Sequence, residues 1–262
     1  MAEPLLFAKR DGIATLTLNR PDVGNAINTA LIEALAQASA QCERDASIRC
    51  VVLTGAGRLF CVGGDIGVMQ TASDNGGAAI GQFARTLHVA VARLARMNKP
   101  LLCVVNGPAA GMGLSLAILG DVVLAAKSAH FTTAYGAIGL TPDGGMTWLL
   151  PRLIGLRRAQ EMIVLNKRVS AEEGEAIGLV TRMVDDDELA AESSKIALRL
   201  AHAATGAIGG SRRLLLGSFA NDLERQLECE AKSIATASGG LEGSEGMAAF
   251  LGGRRPDFTG TE

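Results

Sequence analysis

Apolar residues along this chain fall into two patterns, short runs and helical stripes. Residues 5–10 (LLFAKR) and 13–19 (IATLTLN) flank Asp11-Gly12 with alternating apolar and polar positions. Both turn residues tolerate positive φ, so the pattern predicts a β-hairpin. Segments 50–57 (CVVLTGAG), 100–107 (PLLCVVNG) and 121–126 (DVVLAA) are short and nearly continuous in apolar character, as in strands of a sheet covered on both faces. Between them the period becomes helical. Asn28 or Thr29 stands where a cap belongs, ahead of Leu31, Leu35, Ala38 and Cys42 at helical spacing. A second helix is expected over residues 79–96.

This strand–helix–strand rhythm implies an α/β fold with right-handed crossovers. From residue 144 onward the pattern turns mostly helical. Ser170-Ala171-Glu172-Glu173 reads as a capping box opening a helix that leads to Gly178. Further helices are expected over 187–204, 222–237 and 243–252. The expected organisation is an α/β core over residues 1–190 followed by a helical region over 191–262.

Composition excludes several classes. With 262 residues, 48% of them hydrophobic, the chain can bury a substantial core. Its 25 basic and 27 acidic residues nearly balance, at a net charge of −2. That leaves no electrostatic footprint for nucleic acid or an anionic membrane, and neither partner is expected. Cys42, Cys50, Cys61, Cys103 and Cys229 form an odd set without a CxxC pair. This argues against a disulfide framework or a metal site and for a reducing compartment. The N-terminal segment mixes acid and base, and no run reaches the roughly 20 apolar residues of a membrane span. A cytoplasmic location is expected.

Two of the glycine clusters follow apolar strands: residues 60–66 (FCVGGDI) and 106–113 (NGPAAGMG). Glycine there lets backbone amides face a ligand, although a tight turn between packed elements needs glycine just as much. Gly55-Ala56-Gly57 and Gly111-Met112-Gly113 both lack the third glycine of a dinucleotide fingerprint. No GxSxG elbow, P-loop or HExxH occurs.

Taken together and in order, FCVGGDI, NGPAAGMGLSLA, IGLTPDGG and EGMAAFLGGRRPDF resemble the motifs of the enoyl-CoA hydratase/isomerase (crotonase) superfamily. The resemblance runs from NRPDVGNAIN at 19–28 to Phe258. It implies a spiral of ββα units, a helical C-terminal region used for trimerisation, and a homotrimer or hexamer. The substrate it implies is an acyl-CoA thioester, with no cofactor. The amides of Gly64 and Met112 fall at the positions that hold the thioester oxyanion. Glycine is usual at the second position, so the Met112 side chain must be accommodated. The same match places Ala26, Val62, Asp65, Ile66, Tyr135 and Leu140 around the substrate.

Related hydratases use two glutamates, and those positions hold Ser115 and Tyr135 here. Neither is an effective base at neutral pH. Asp143 instead occupies the place of the single carboxylate in isomerases that shift a double bond, although an Asp before GGMTWLL can equally be a helix cap. GGMTWLLPR and RRPDFTG are most similar to the phenylacetate-pathway ring-epoxide isomerases. Isomerase chemistry is therefore the leading expectation. The alternatives are a hydratase, or another enzyme using a held water, and an acyl-CoA-binding protein without turnover.

Asp65 is expected to cap a helix or fix the first loop. His88, His130 and His202 are scattered along the sequence and read as solvated or structural. Cys61 reads as packing. Tyr135 and Trp148 flank Asp143, where they line the acyl pocket or pack in the core. The lysine that many relatives carry before the final arginine of the tail is Gly253 here, followed by Arg254 and Arg255.

Overall fold

The computed structural model describes residues 2–73 and 77–260. β1 (Leu5–Arg10) and β2 (Ile13–Leu18) form the hairpin, with Leu5 opposite Leu18 and Arg10 opposite Ile13. Asp11 (φ 51°) and Gly12 (φ 73°) are both left-handed, the turn geometry that matches strand twist. Asn28 caps α1 (Thr29–Arg44), its Oδ1 accepting the Leu31 amide at 3.0 Å. There follow β3 (Cys50–Gly55), α2 (Ile66–Ser73), α3 (Gly77–Arg96) and β4 (Leu101–Val105). Next come β5 (Ala109–Ala110), α4 (Met112–Ala117), β6 (Val122–Ala126) and β7 (His130–Thr132). A 3-10 turn over Tyr135–Ile138 leads to α5 (Met146–Ile154) and α6 (Leu156–Val164). The remainder is β8 (Val169–Ser170), α7 (Ala171–Ala176), β9 (Arg182–Val184), α8 (Leu189–Ala201), α9 (Thr205–Ser218), α10 (Leu223–Ser238) and α11 (Leu241–Leu251).

Six strands form one sheet in the order β1-β2-β3-β4-β6-β9, parallel throughout except at the β1–β2 hairpin. Every residue of β4 is buried, because α8 packs across β2, β3, β4 and β6 and continuous apolar strands need cover on both faces. A smaller sheet, β5-β7-β8, stands beside it. A bridge from Cys61 to Ala109 ties the first glycine-rich loop to this small sheet.

The helical reading of the C-terminal third needs three corrections. The 187–204 helix is shorter, ending at Ala201, and α9 follows where no helix was expected. The run GAIGGS in α9 hides its periodicity. Its glycines have a packing reason: a Cβ on Gly209 would lie 2.6 Å from Asn98 Cα, so only glycine lets α9 seat on the loop before β4. The short strands β8 and β9 also interrupt the helices. Half of the capping box forms. Ser170 Oγ accepts the Glu173 amide at 3.1 Å, while the Glu173 carboxylate pairs with Lys167 at 2.9 Å.

Buried arginines fasten the helices to the sheet. Arg212 of α9 donates to the Met97 and Lys99 carbonyls (2.7 and 2.9 Å) and ion-pairs with Asp121. Asp121 in turn accepts the Leu101 amide at the start of β4 (2.7 Å). Arg49 donates to the carbonyls of Ala201, the last residue of α8, and Ala203, just beyond it (2.7 and 2.9 Å).

Candidate active site

The first loop is built around Asn25, which is fully buried and left-handed (φ 58°). Its amide nitrogen donates to the carbonyls of Ala56, Leu59 and Phe60 at 3.0, 2.8 and 3.1 Å, and its oxygen accepts the Arg20 amide at 2.8 Å. The chain from Gly24 to Ile27 is thereby locked against the segment that leads into the glycines. Ile27 then bridges Gly64: the Ile27 amide donates to Gly63 O (2.8 Å) and the Asp65 amide to Ile27 O (2.9 Å). Successive amides of an extended segment point to opposite sides, so the Gly64 N–H is turned away from Ile27.

The second loop abuts the first. The Cys61 amide donates to Pro108 O (3.2 Å) and the Ala110 amide to Cys61 O (2.9 Å). Gly113 lies directly on this contact, since a Cβ there would be 2.1 Å from Cys61 O. Gly63 (φ 103°) faces Met112, where an added Cβ would sit 3.4 Å from the Met112 nitrogen. Gly111 (φ 53°, ψ −125°) opens α4, which makes Met112 the first helical residue. A first-turn N–H has no partner within its own helix. Among the described residues, neither the Gly64 nor the Met112 amide donates a hydrogen bond.

α4 also carries Ser115, and through it reaches Asp143. Ser115 Oγ donates to the Asp143 carbonyl at 3.0 Å. The Met112 side chain is buried beneath Gly144, where a Cβ would come within 2.3 Å of its sulfur. That is how the unusual methionine is accommodated. The Asp143 carboxylate is held by Tyr135, whose hydroxyl donates to Oδ1 at 2.5 Å. Burial first, then the Asp143 charge and this bond, push the Tyr135 phenol well above its ordinary pKa. It is therefore a hydrogen-bond donor here and not a base. Tyr135 is aimed by the residue before it: Ala134 is left-handed (φ 63°), and its amide donates to Asn166 Oδ1 at 2.7 Å.

Two expectations around Asp143 are settled by this geometry. Asp143 does not cap α5: Gly145 stands at the cap position without a side-chain bond, and the Asp143 carboxylate is engaged by Tyr135 instead. His88 is half-exposed and structural, as expected, but what it holds is the segment that carries Asp143. Its Nε2 accepts the Gly144 amide at 3.1 Å and lies 3.7 Å from Asp143 Oδ2. Sequence reasoning missed this role because α3 buries Leu87, Ala90, Val91 and Leu94, leaving His88 beside the apolar stripe. The sequence separation of 56 between His88 and Gly144 hides the contact.

Asp65 fixes the first loop through Arg20 (3.0 Å), which also donates to the Ala26 carbonyl. Ala26 is buried, whereas Val62, Ile66 and Leu140 expose apolar side chains. Trp148 is not part of the core. It is exposed and stacks on Arg152 at 4.1 Å, with Phe219 on the same guanidinium at 5.1 Å. His130 lies against Arg168 and His202 against the Leu198 carbonyl (3.0 and 2.8 Å). Cys61 is packed as expected, its Sγ donating to Asn25 O at 3.3 Å and its thiol pushed up to about 12 by burial. Arg254 of the tail pairs with Glu245 at 2.6 Å.

Known proteins resemble this chain over nearly all of its length. The enoyl-CoA hydratase/isomerase family profile matches residues 8–261. The 1,2-epoxyphenylacetyl-CoA isomerase of Escherichia coli (strain K12) is 40% identical over 261 residues, covering 99% of this chain and 100% of that protein. A protein of Rhodobacter capsulatus described as "Probable enoyl-CoA hydratase" is 36% identical over 255 residues, covering 95% of both chains. Among solved structures, an enoyl-CoA hydratase from Polaromonas sp. JS666 superposes with a TM-score of 0.92 at 32% identity, covering 97% of this chain and 98% of the other. The enoyl-CoA hydratase/isomerase from Cupriavidus metallidurans CH34 gives 0.91 at 30% identity, covering 99% and 97%. The α/β spiral with its helical C-terminal region is thus the crotonase fold. With two paired glycine-rich loops and a sequence matched from the first hairpin to the tail, the chain belongs to the enoyl-CoA hydratase/isomerase family, whose members act on acyl-CoA thioesters.

Proposed function

We propose that this protein is an enoyl-CoA isomerase that shifts a double bond, or isomerises a ring-epoxide thioester, with Asp143 as its one acid/base. The observation that carries this reading is the setting of Asp143. The two positions where related hydratases hold glutamates are Ser115 and Tyr135, and both are spent on hydrogen bonds to Asp143. One carboxylate is then left for proton transfer. It takes a proton from the carbon beside the thioester carbonyl, and the electron pair moves to the carbonyl oxygen as an enolate. The amides of Gly64 and Met112 stabilise that oxyanion, and losing one such donor typically costs roughly 10²–10³ in rate. Asp143, now neutral, returns the proton two carbons away. No net proton, water or cofactor is consumed.

In this reading Ala26, Val62, Ile66, Tyr135 and Leu140 border the acyl group. The 40% identity to a 1,2-epoxyphenylacetyl-CoA isomerase supports the isomerase branch. The similarity to a protein described as a hydratase keeps addition of water as the second reading. We propose further that the chain works as a homotrimer or hexamer assembled through its C-terminal helices, with the nucleotide end of CoA met by basic side chains. Product analysis with unsaturated acyl-CoA thioesters tests the activity directly. A shifted double bond supports the proposal. A hydroxyacyl-CoA makes the protein a hydratase, and binding without turnover makes it an acyl-CoA-binding protein.

A further inference from the structure

The segment that carries Asp143 has little stiffness of its own. Gly139, Gly144 and Gly145 are all left-handed (φ 70°, 63° and 82°), and glycine gives the backbone its widest freedom. Three side chains from elsewhere pin it, and one of them, Ser115, holds the Asp143 carbonyl (3.0 Å). Tyr135 holds carboxylate oxygen Oδ1, and His88, one helix away on α3, holds the next peptide through the Gly144 amide (3.1 Å). For Nε2 to accept that N–H, the imidazole must be neutral with its proton on Nδ1. The same Nε2 stands 3.7 Å from Oδ2, beyond hydrogen-bonding reach, so Oδ2 keeps its lone pairs.

Resting on the reading of Asp143 as the acid/base, we propose that His88 is a positioning residue for it. His88 fixes the Gly144 peptide, Tyr135 occupies Oδ1, and Oδ2 is left as the oxygen that exchanges the proton. Without the His88 bond, the Asp143–Gly144 peptide is held only at its carbonyl, by Ser115 and the Met146 amide (3.0 and 3.2 Å), and the carboxylate loses part of its aim. A displacement near 1 Å at a reacting group costs roughly 10²-fold in rate. Because the His88 side chain is 44% exposed, it can be replaced without opening the core.

Two measurements test this. Imidazole ¹⁵N shifts of the full-length protein, with His88 assigned by its loss in His88→Gln, are expected to show Nδ1 protonated and Nε2 bare. A proton on Nε2 overturns the proposal, and this arm does not depend on any activity. In steady-state kinetics on an unsaturated acyl-CoA, His88→Leu is expected to lower kcat by roughly 10²-fold with little change in KM. His88→Gln should restore most of it, because its Oε1 can accept the Gly144 amide. Equal loss in both variants, or none in His88→Leu, overturns the role of His88. Undiminished turnover in Asp143→Asn overturns the underlying reading instead.

Discussion

Asn25 illustrates how much one side chain can organise. Its left-handed backbone and its bonds to three carbonyls hold the entry to the first loop. Asn25→Ala removes the donors and leaves those carbonyls buried, so a destabilisation of about 2–4 kcal/mol is expected from chemical denaturation. A loss under about 0.5 kcal/mol is the effect of an ordinary surface change and would contradict this role. The motif NRPDVGNAIN was legible as a family match, but nothing in it says which residue does the holding. His88 was illegible for a related reason: its partner lies on a loop that only tertiary folding brings close. The cysteines were legible as unpaired. Cys42, Cys50 and Cys61 are pushed up to about 11, 12 and 12 by burial, and Cys103 higher still. A thiol reagent at pH 8 should therefore modify at most Cys229 in the folded protein, and a second reacting thiol would show that the core opens.

At the scale of elements, strands with strict apolar runs and helices with clean caps were readable. Those whose logic is packing were not. α9 was hidden because its glycines serve contact with Asn98, against helical propensity. Its anchor is Arg212, and removing one member of a largely buried pair typically costs about 3–5 kcal/mol. Arg212→Ala should destabilise by that order in thermal or chemical denaturation. Arg212→Ala in an Asp121→Ala background should cost less, because no carboxylate is then stranded. The C-terminal tail depends on a different pair. Arg254 first, then the Asp257 amide, hold Glu245 down from 4.5 to about 2. A depressed carboxylate contributes stability above its unfolded value, lost as pH falls towards its folded one. Protection of the amides at the end of α11 and in the tail, measured against their intrinsic exchange rates, is thus expected to fall as pH drops from 4.5 to about 2, and unchanged protection in that window would count against the clasp.

For the whole molecule, the two glycine-rich loops were recognisable because their order and spacing are carried in sequence. Their mutual contact, and the way Gly144 makes room for Met112, needed the fold. α10 has no buried residue, and Leu223, Leu227, Ile234, Met247 and Phe250 are exposed. Large apolar surfaces on a lone chain mark association sites. Sedimentation at micromolar concentration should accordingly show a trimer or a dimer of trimers; a stable monomer would contradict the proposed assembly. No helix among the described residues is long and apolar enough to cross a membrane. The central claim, that Asp143 alone moves the proton, is tested most directly by turnover of Asp143→Asn on an unsaturated acyl-CoA, with Ser115→Ala as control and calorimetry for affinity. Asparagine preserves size but cannot exchange a proton at neutral pH. The account predicts a loss of roughly 10²–10⁴ in kcat with acyl-CoA affinity nearly unchanged, and only a small effect in Ser115→Ala. Near-normal turnover in Asp143→Asn, with loss in Ser115→Ala, would contradict it.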